Sequence, residues 1–284
     1  MITVKKIGII GAGQMGIGIA QVAAANGYQI ILYDIKKDLC EIAMAKMHSV
    51  LEKRILTGKG TKDEMKQIFS RISSTERMEE MADCDMVIEA ATENLSVKQE
   101  IFCQLSKVCR PDCIFATNTS SISITSIMEK ADNPERGAGM HFFFPVTAMK
   151  LIEVIYGTRT ADEAVEVIRQ VAANLGKVSV ICKTDTPGFI VNRCLFAFLL
   201  EAIHCYEDGV ATINDIDIAI RLGLNHPLGP FEMMDLSGLD TFPRVCKSMQ
   251  SLPATDWSIP SSVMQLIGEG RFGRKSGRGW HQYI

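Results

Sequence analysis

His141 and Glu153 are the residues whose types and surroundings best suit moving a proton. Of the five histidines, His48 lies in a lysine-bearing helical segment, His204 in an apolar helical segment and His281 in the C-terminal tail, and His226 sits in a turn beside Pro227. His141 instead ends the strand-like run Ala138-Gly139-Met140 and precedes Phe142-Phe143-Phe144-Pro145. In an open α/β sheet, ligands bind at the carboxyl ends of the strands, and histidine titrates close enough to neutrality to serve as acid and base. Twelve residues on, Leu151-Ile152-Glu153-Val154-Ile155 is an apolar strand segment with one carboxylate, which is costly to bury unless paired. The pairing expected is with His141, whose ring a carboxylate can orient while favouring its cationic form. Taken singly, His141 also reads as a satisfied core histidine and Glu153 as a strand-edge residue. A dinucleotide site in the same chain is what favours the acid–base pair.

That site is written near the N-terminus. A buried strand over residues 4–10 runs into Gly11-Ala12-Gly13-Gln14-Met15-Gly16. A helix follows, closed by Asn26-Gly27, and then a second strand, Ile30-Ile31-Leu32-Tyr33, ends in Asp34, eighteen residues after Gly16. Strand, glycine turn, helix, strand and acid together form the dinucleotide fingerprint. Gly11 permits the tight turn, Gly13 lets the backbone approach a pyrophosphate, and Gly16 lets the helix pack closely. The helix N-terminus attracts the phosphates. Asp34 would accept from both ribose hydroxyls and repel a 2′-phosphate, which favours NAD. Lys36 and Lys37, close behind it, leave NADP open as the alternative.

Strand and helix signals alternate for about 180 residues, which predicts an α/β, mainly parallel, Rossmann-like sheet. Leu39, Ile42, Ala43, Met47, Val50, Leu51 and Ile55 form a core stripe at helical spacing. Capping boxes are expected at residues 61–64 and 96–99, and a further helix cap at 160–163. Strands are expected at 86–91, 114–117, 151–155 and 178–181. After Pro187 the strand signals stop. Residues 189–206 are apolar on nearly all sides, predicting a helix buried all round, and Asn214 is the expected cap of the next one. The domains are therefore residues 1–186, a dinucleotide-binding domain, and 187–284, an all-α domain for substrate and dimer contacts.

Composition narrows the class of protein. The 284 residues carry 30 Lys+Arg against 33 Asp+Glu, a net charge of −3. This offers no basic face for nucleic acid. No stretch reaches the roughly 18 apolar residues that span a bilayer, so no membrane partner is expected. Nine cysteines, scattered and odd in number, argue against a disulfide framework and for reduced thiols in the cytoplasm. No set has the spacing of a metal site.

Several motifs recur in one order: Gly11 to Gly16, residues 96–102, Asn118-Thr119-Ser120-Ser121, His141-Phe142-Phe143 and Met149-Lys150-Leu151-Ile152-Glu153. Residues 185–193, Gly229-Pro230-Phe231-Glu232 and residues 273–279 complete the set. In these the chain resembles the short-chain L-3-hydroxyacyl-CoA dehydrogenases over essentially its whole length, and its length suits the bacterial 3-hydroxybutyryl-CoA dehydrogenases. The resemblance implies an NAD-dependent interconversion of (S)-3-hydroxybutyryl-CoA and acetoacetyl-CoA, within fatty-acid or butyrate metabolism. It implies an acyl-CoA thioester as substrate and a homodimer through the C-terminal helices.

Residue by residue, the resemblance makes His141 the general acid or base and Glu153 its orienting partner. Ser120 and Asn192 bond the substrate's 3-oxygen or thioester region, with Ser120 also near the nicotinamide. Glu93 and Lys98 line the cofactor's ribose side, with Lys275 a further candidate. Lys53 and Lys59 meet the coenzyme A phosphates, or else belong to a solvated helix face. Without the resemblance, Ser120 reads as a turn residue and Asn192 as the start of a helix. The chain departs from the family at Phe144, where an asparagine is usual, and at Thr57, where related bacterial chains tend to have a lysine. A dehydrogenase of a free hydroxy acid or sugar acid on the same fold therefore stands as an alternative. So does a catalytically weak NAD-binding homologue, for which Phe144 is the argument.

Overall fold

The computed structural model describes residues 2–253 and 256–283. The chain divides into two compact units, Met1–Thr186 and Pro187–Ile284. The first is built on one eight-stranded sheet in the order β3-β2-β1-β4-β5-β6-β7-β8. Its strands are β1 (Lys6–Ile10), β2 (Gln29–Tyr33), β3 (Ile72–Thr75), β4 (Met86–Glu89), β5 (Ile114–Thr117), β6 (Gly137–Phe142), β7 (Leu151–Ile155) and β8 (Val178–Cys182). Neighbours run parallel except β6 and β7, which meets the expectation of a mainly parallel sheet. The central strands are near-continuous apolar runs such as Ile7 to Ile10 and Met86 to Ile88, all buried. A sheet covered on both faces requires that.

Parallel strands need crossovers, and helices supply them. These are α1 (Gln14–Ala25), α2 (Lys37–Leu56), α3 (Lys62–Ser70), α4 (Leu95–Val108), the single turn α5 (Ile124–Ile127) and α6 (Asp162–Asn174). Because β1, β2, β4, β5 and β6 point the same way, the turns after Ile10, Tyr33, Glu89, Thr117 and Phe142 gather at one edge of the sheet. The glycine turn, Asp34, Glu93, Ser120 and His141 belong to these turns and strand ends.

The second unit is helical: α7 (Val191–Glu207), α8 (Ile213–Gly223), α9 (Pro230–Ser237), α10 (Phe242–Met249) and α11 (Ser261–Gly268). Its core includes Leu200, Ile203, Phe231, Cys246 and Trp280. The tail is pinned by two buried carboxylates. Asp235 accepts from the amides of Trp280 and His281 at 2.9 and 2.8 Å, and Asp217 lies 2.7 Å from His281 Nε2. Among the described residues, no helix is long and apolar enough to cross a membrane.

Several local expectations change. β3 escaped the sequence reading because Ile-Ser-Ser-Thr is short and polar, as suits a sheet-edge strand. The box at Thr61 and Glu64 forms as expected. Helix α4, however, is capped by Asn94, which accepts from Val97 N at 3.2 Å, while Ser96 Oγ donates to Asn94. Thr160 does not cap α6; its hydroxyl donates to Gly137 O and accepts from Gly157 N, and Ala161 is the N-cap. Thr212, not Asn214, caps α8. Only Leu199, Leu200, Ala202 and Ile203 of α7 are fully buried, and Arg193 and Cys194 are exposed. In α2, Cys40, Ala43, Met47 and Leu51 face the core, whereas Leu39, Ile42 and Val50 are 41%, 51% and 52% exposed.

Candidate active site

Antiparallel pairing places His141 of β6 directly opposite Glu153 of β7. Their side chains meet, with His141 Nδ1 2.7 Å from Glu153 Oε2. Glu153 is completely buried and His141 is 6% exposed, so little water competes for the contact. The Phe143 ring lies 4.5 Å from the imidazole, centroid to centroid. A histidine held in this way by one ring nitrogen can act as acid or base only through the other, here Nε2.

The residues expected to meet the cofactor form a turn that tolerates no side chains at two of its glycines. Gly11 adopts φ +102, and a Cβ there would lie 2.7 Å from Ala90 O. A Cβ on Gly16 would overlap the Gly11 carbonyl oxygen, whereas one on Gly13 would meet nothing within 4 Å. Gly13 is also the N-cap of α1 and brings no side-chain acceptor. The first turn of α1 thus has no side-chain cap, an arrangement that suits a phosphate at a helix N-terminus. Asp34 Oδ2 accepts from Ala12 N at 2.7 Å and Oδ1 from Ile35 N at 2.8 Å, which ties the acid at the end of β2 to the glycine turn. These residues fit a dinucleotide.

The loop after β5 is gathered by one carboxylate. Glu93 Oε1 accepts from Thr119 Oγ1, Ser120 N, Ser120 Oγ and Ser121 Oγ at 2.7, 2.9, 3.2 and 3.1 Å. Burial pushes the Glu93 carboxyl upward, but the Lys98 ammonium and these hydrogen bonds outweigh it and hold it below the usual range. Asn118 Oδ1 accepts from Phe142 N at 2.8 Å, linking this loop to the residue after His141. Asp185 accepts from Ser123 Oγ, Ile124 N and Thr125 N and so fixes the far end of the loop.

The remaining expected residues are placed as follows. Lys98 is 1% exposed; its ammonium lies 2.7 Å from Glu89 and 3.5 Å from Glu93. Asn192 lies in the first turn of α7, half-buried. Lys275 is exposed and paired with Asp240, over the Phe272 ring. Lys59 lines a cavity of about 450 Å³ in the first unit together with Arg54, Arg71, Lys150 and Lys177. Lys53 is exposed on α2 and lines neither that cavity nor a second one of about 700 Å³. The second is bordered by Gly13, Asp34, Leu39, Ile42, Val50 and Phe144. Phe144, 57% exposed, is therefore a wall of an apolar cavity.

The sequence reading missed Glu89, Thr117, Thr119, Arg54 and Lys150. Glu89 carried a readable signal, being a single carboxylate in an apolar strand, as Glu153 is. The others are defined by what the fold brings beside them.

Comparison with known proteins agrees with this architecture. The family described as "3-hydroxyacyl-CoA dehydrogenase, NAD binding domain" matches residues 6–186, and its C-terminal domain matches residues 188–283. The chain belongs to the 3-hydroxyacyl-CoA dehydrogenase family, an enzyme family, and carries its NAD-binding domain. A probable 3-hydroxybutyryl-CoA dehydrogenase of Deinococcus radiodurans is 40% identical over 98% of this chain and 100% of its own. The human mitochondrial hydroxyacyl-coenzyme A dehydrogenase is 41% identical over 99% of this chain and 92% of its own. The crystal structure of (S)-3-hydroxybutyryl-CoA dehydrogenase PaaH1 from Ralstonia eutropha superimposes with a TM-score of 0.94 at 34% identity, covering 99% of this chain and 100% of that one.

Proposed function

We propose that this protein interconverts (S)-3-hydroxybutyryl-CoA and acetoacetyl-CoA with NAD. The observation that carries the reading is the buried His141–Glu153 pair, at the same sheet edge as a glycine turn built for a dinucleotide. Bound there, NAD supplies the acceptor for the hydride from C3. His141 takes the hydroxyl proton at Nε2 in oxidation and returns it to the ketone oxygen in reduction. Glu153 holds the ring and answers the charge it gains. Ser120 and Asn192 bond the 3-oxygen or the thioester, while Gly11 to Gly16 and Asp34 hold pyrophosphate and ribose. Glu93 lines the ribose side and Lys98 stands behind it, with Lys275 as a further contact. Lys53 and Lys59 receive the coenzyme A phosphates; Lys59 has the cationic cavity beside it in support.

A cytoplasmic homodimer belongs to this reading. Its support is nine free thiols and, around the end of α8, Ile218, Leu222 and Leu224, which are 44%, 80% and 61% exposed. Such large apolar side chains in the open suit a subunit contact.

The test is oxidation of NADH, and separately of NADPH, with acetoacetyl-CoA and with free keto acids. Turnover of the thioester with NADH is expected; turnover of free acids alone would replace this substrate class. The same assay treats Phe144. Its ring borders a cavity and leaves the His141–Glu153 contact intact, so Phe144→Asn should change kcat/KM by less than about tenfold, one neutral hydrogen bond being worth on the order of 1 kcal/mol. A gain of two orders of magnitude would instead mark the parent as an impaired homologue.

A further inference from the structure

Glu89, like Glu153, is a fully buried carboxylate on a strand of the sheet. It ends β4 with no exposure to solvent, and its carboxylate is fully engaged. Lys98 Nζ donates to its two oxygens at 2.7 and 2.8 Å. Thr117 Oγ1 donates at 2.6 Å and Ala91 N at 2.7 Å. An apolar pair of similar volume is often as stable as a buried ion pair or more so, so stability alone gives little reason for this one.

Its geometry suggests another reason. Lysine has three N–H groups. The contacts with Glu89 use two, leaving the ammonium able to act on Glu93 Oε2, 3.5 Å away. Glu93 then presents its other oxygen to Thr119, Ser120 and Ser121. The same strand end reaches the catalytic histidine by a second route: Glu89 O accepts from Asn118 N at 2.7 Å, and Asn118 Oδ1 accepts from Phe142 N. Every member from Glu89 to Ser120 belongs to the first unit.

We propose that Glu89 is a positioning residue for the reaction: it fixes Lys98, Lys98 holds Glu93, and Glu93 sets the place of Ser120. The inference rests on the functional reading above, in which Ser120 meets the substrate. The chain from Glu89 to Ser120 holds two negative charges and one positive. Replacing Glu89 by glutamine leaves Lys98 with Glu93 as its sole anion. The ammonium then closes on Glu93 and competes with the serine loop for it.

Two measurements test this. Hydrogen exchange on the protein without substrate or cofactor reads the Ser120 amide directly. Glu89→Gln should speed exchange in the peptide covering residues 118–123 about tenfold, with β1 unchanged; an unchanged loop overturns the proposal whatever the substrate is. The second is a double-mutant cycle on acetoacetyl-CoA reduction. Glu89→Gln should lower kcat about tenfold with KM values within about twofold, but by less than about twofold on a Ser120→Ala background. An equal loss on both backgrounds would make Glu89 a structural residue only. If Glu89→Gln does not fold, Thr117→Val removes one of its donors while keeping all charges, and is expected to give the same pattern at smaller size. A parent without thioester turnover would remove the functional reading and leave the exchange result to decide on the positioning chain.

Discussion

His141→Ala is expected to lower kcat for acetoacetyl-CoA reduction about a thousandfold, within the 10²–10⁴ that a positioned general acid contributes, while KM values for both substrates should stay within a few-fold. The imidazole is 6% exposed, and its Nδ1 is held by Glu153 at 2.7 Å. In the proposed mechanism the proton would be delivered from a nitrogen already aimed, with little reorganisation. Alanine removes the donor and leaves a cavity that one water cannot orient as well. It also takes the His141 Nδ1 contact from the Glu153 carboxylate, which has no solvent exposure, and breaking a buried pair costs up to about 3–5 kcal/mol of stability. Tm should fall for that reason, so activity loss alone could reflect unfolding. His141→Gln separates the two effects, because its amide N–H can satisfy Glu153 yet cannot transfer a proton. Recovery of Tm with no recovery of kcat is the expected result. A His141→Gln protein working within tenfold of the parent would remove His141 from the chemistry.

The parts of the molecule that were legible in the sequence are those where one residue type has one physical explanation. Gly16 must lack a Cβ because the Gly11 carbonyl occupies that space, and a glycine run between a strand and a helix announces such crowding. Glu153 stood out because a lone carboxylate in an apolar strand needs a partner, and the register of β6 with β7 supplies it. Where a pattern has two explanations, the reading slipped. Leu39, Ile42 and Val50 fit a helical core stripe by spacing, yet they border a cavity, and apolar periodicity does not distinguish a core from a ligand wall. Asn94 and Ser96 are both good caps, and backbone geometry chose the first. For Lys98, which the resemblance puts on the cofactor's ribose side, the fold adds an ion pair within the protein. That placement is a tertiary fact, because Glu89 lies nine residues earlier on another element.

Glu153→Gln should lower kcat about a hundredfold or more, the second large effect expected here, while Tm changes far less than in His141→Ala. Glutamine fills the same space opposite His141, so the strand pairing and the packing of Val154 and Ile152 are retained. The loss is one of direction. A carboxylate can only accept, so it requires the proton on Nδ1 and leaves Nε2 as the reacting nitrogen. An amide can present its NH₂ to Nδ1 instead, which selects the tautomer with the proton on Nε2. That tautomer cannot receive the substrate's hydroxyl proton in oxidation. In reduction, the protonated ring would lack the anion that steadies it before transfer. Wrong-tautomer substitutions of this kind in His–Asp pairs cost up to about 10⁴ in kcat; the lower expectation here reflects the amide's freedom to rotate back. The oxidative direction should therefore suffer at least as much as the reductive. A variant with parental kcat both ways would reduce Glu153 to a buried partner that only holds β6 and β7 together.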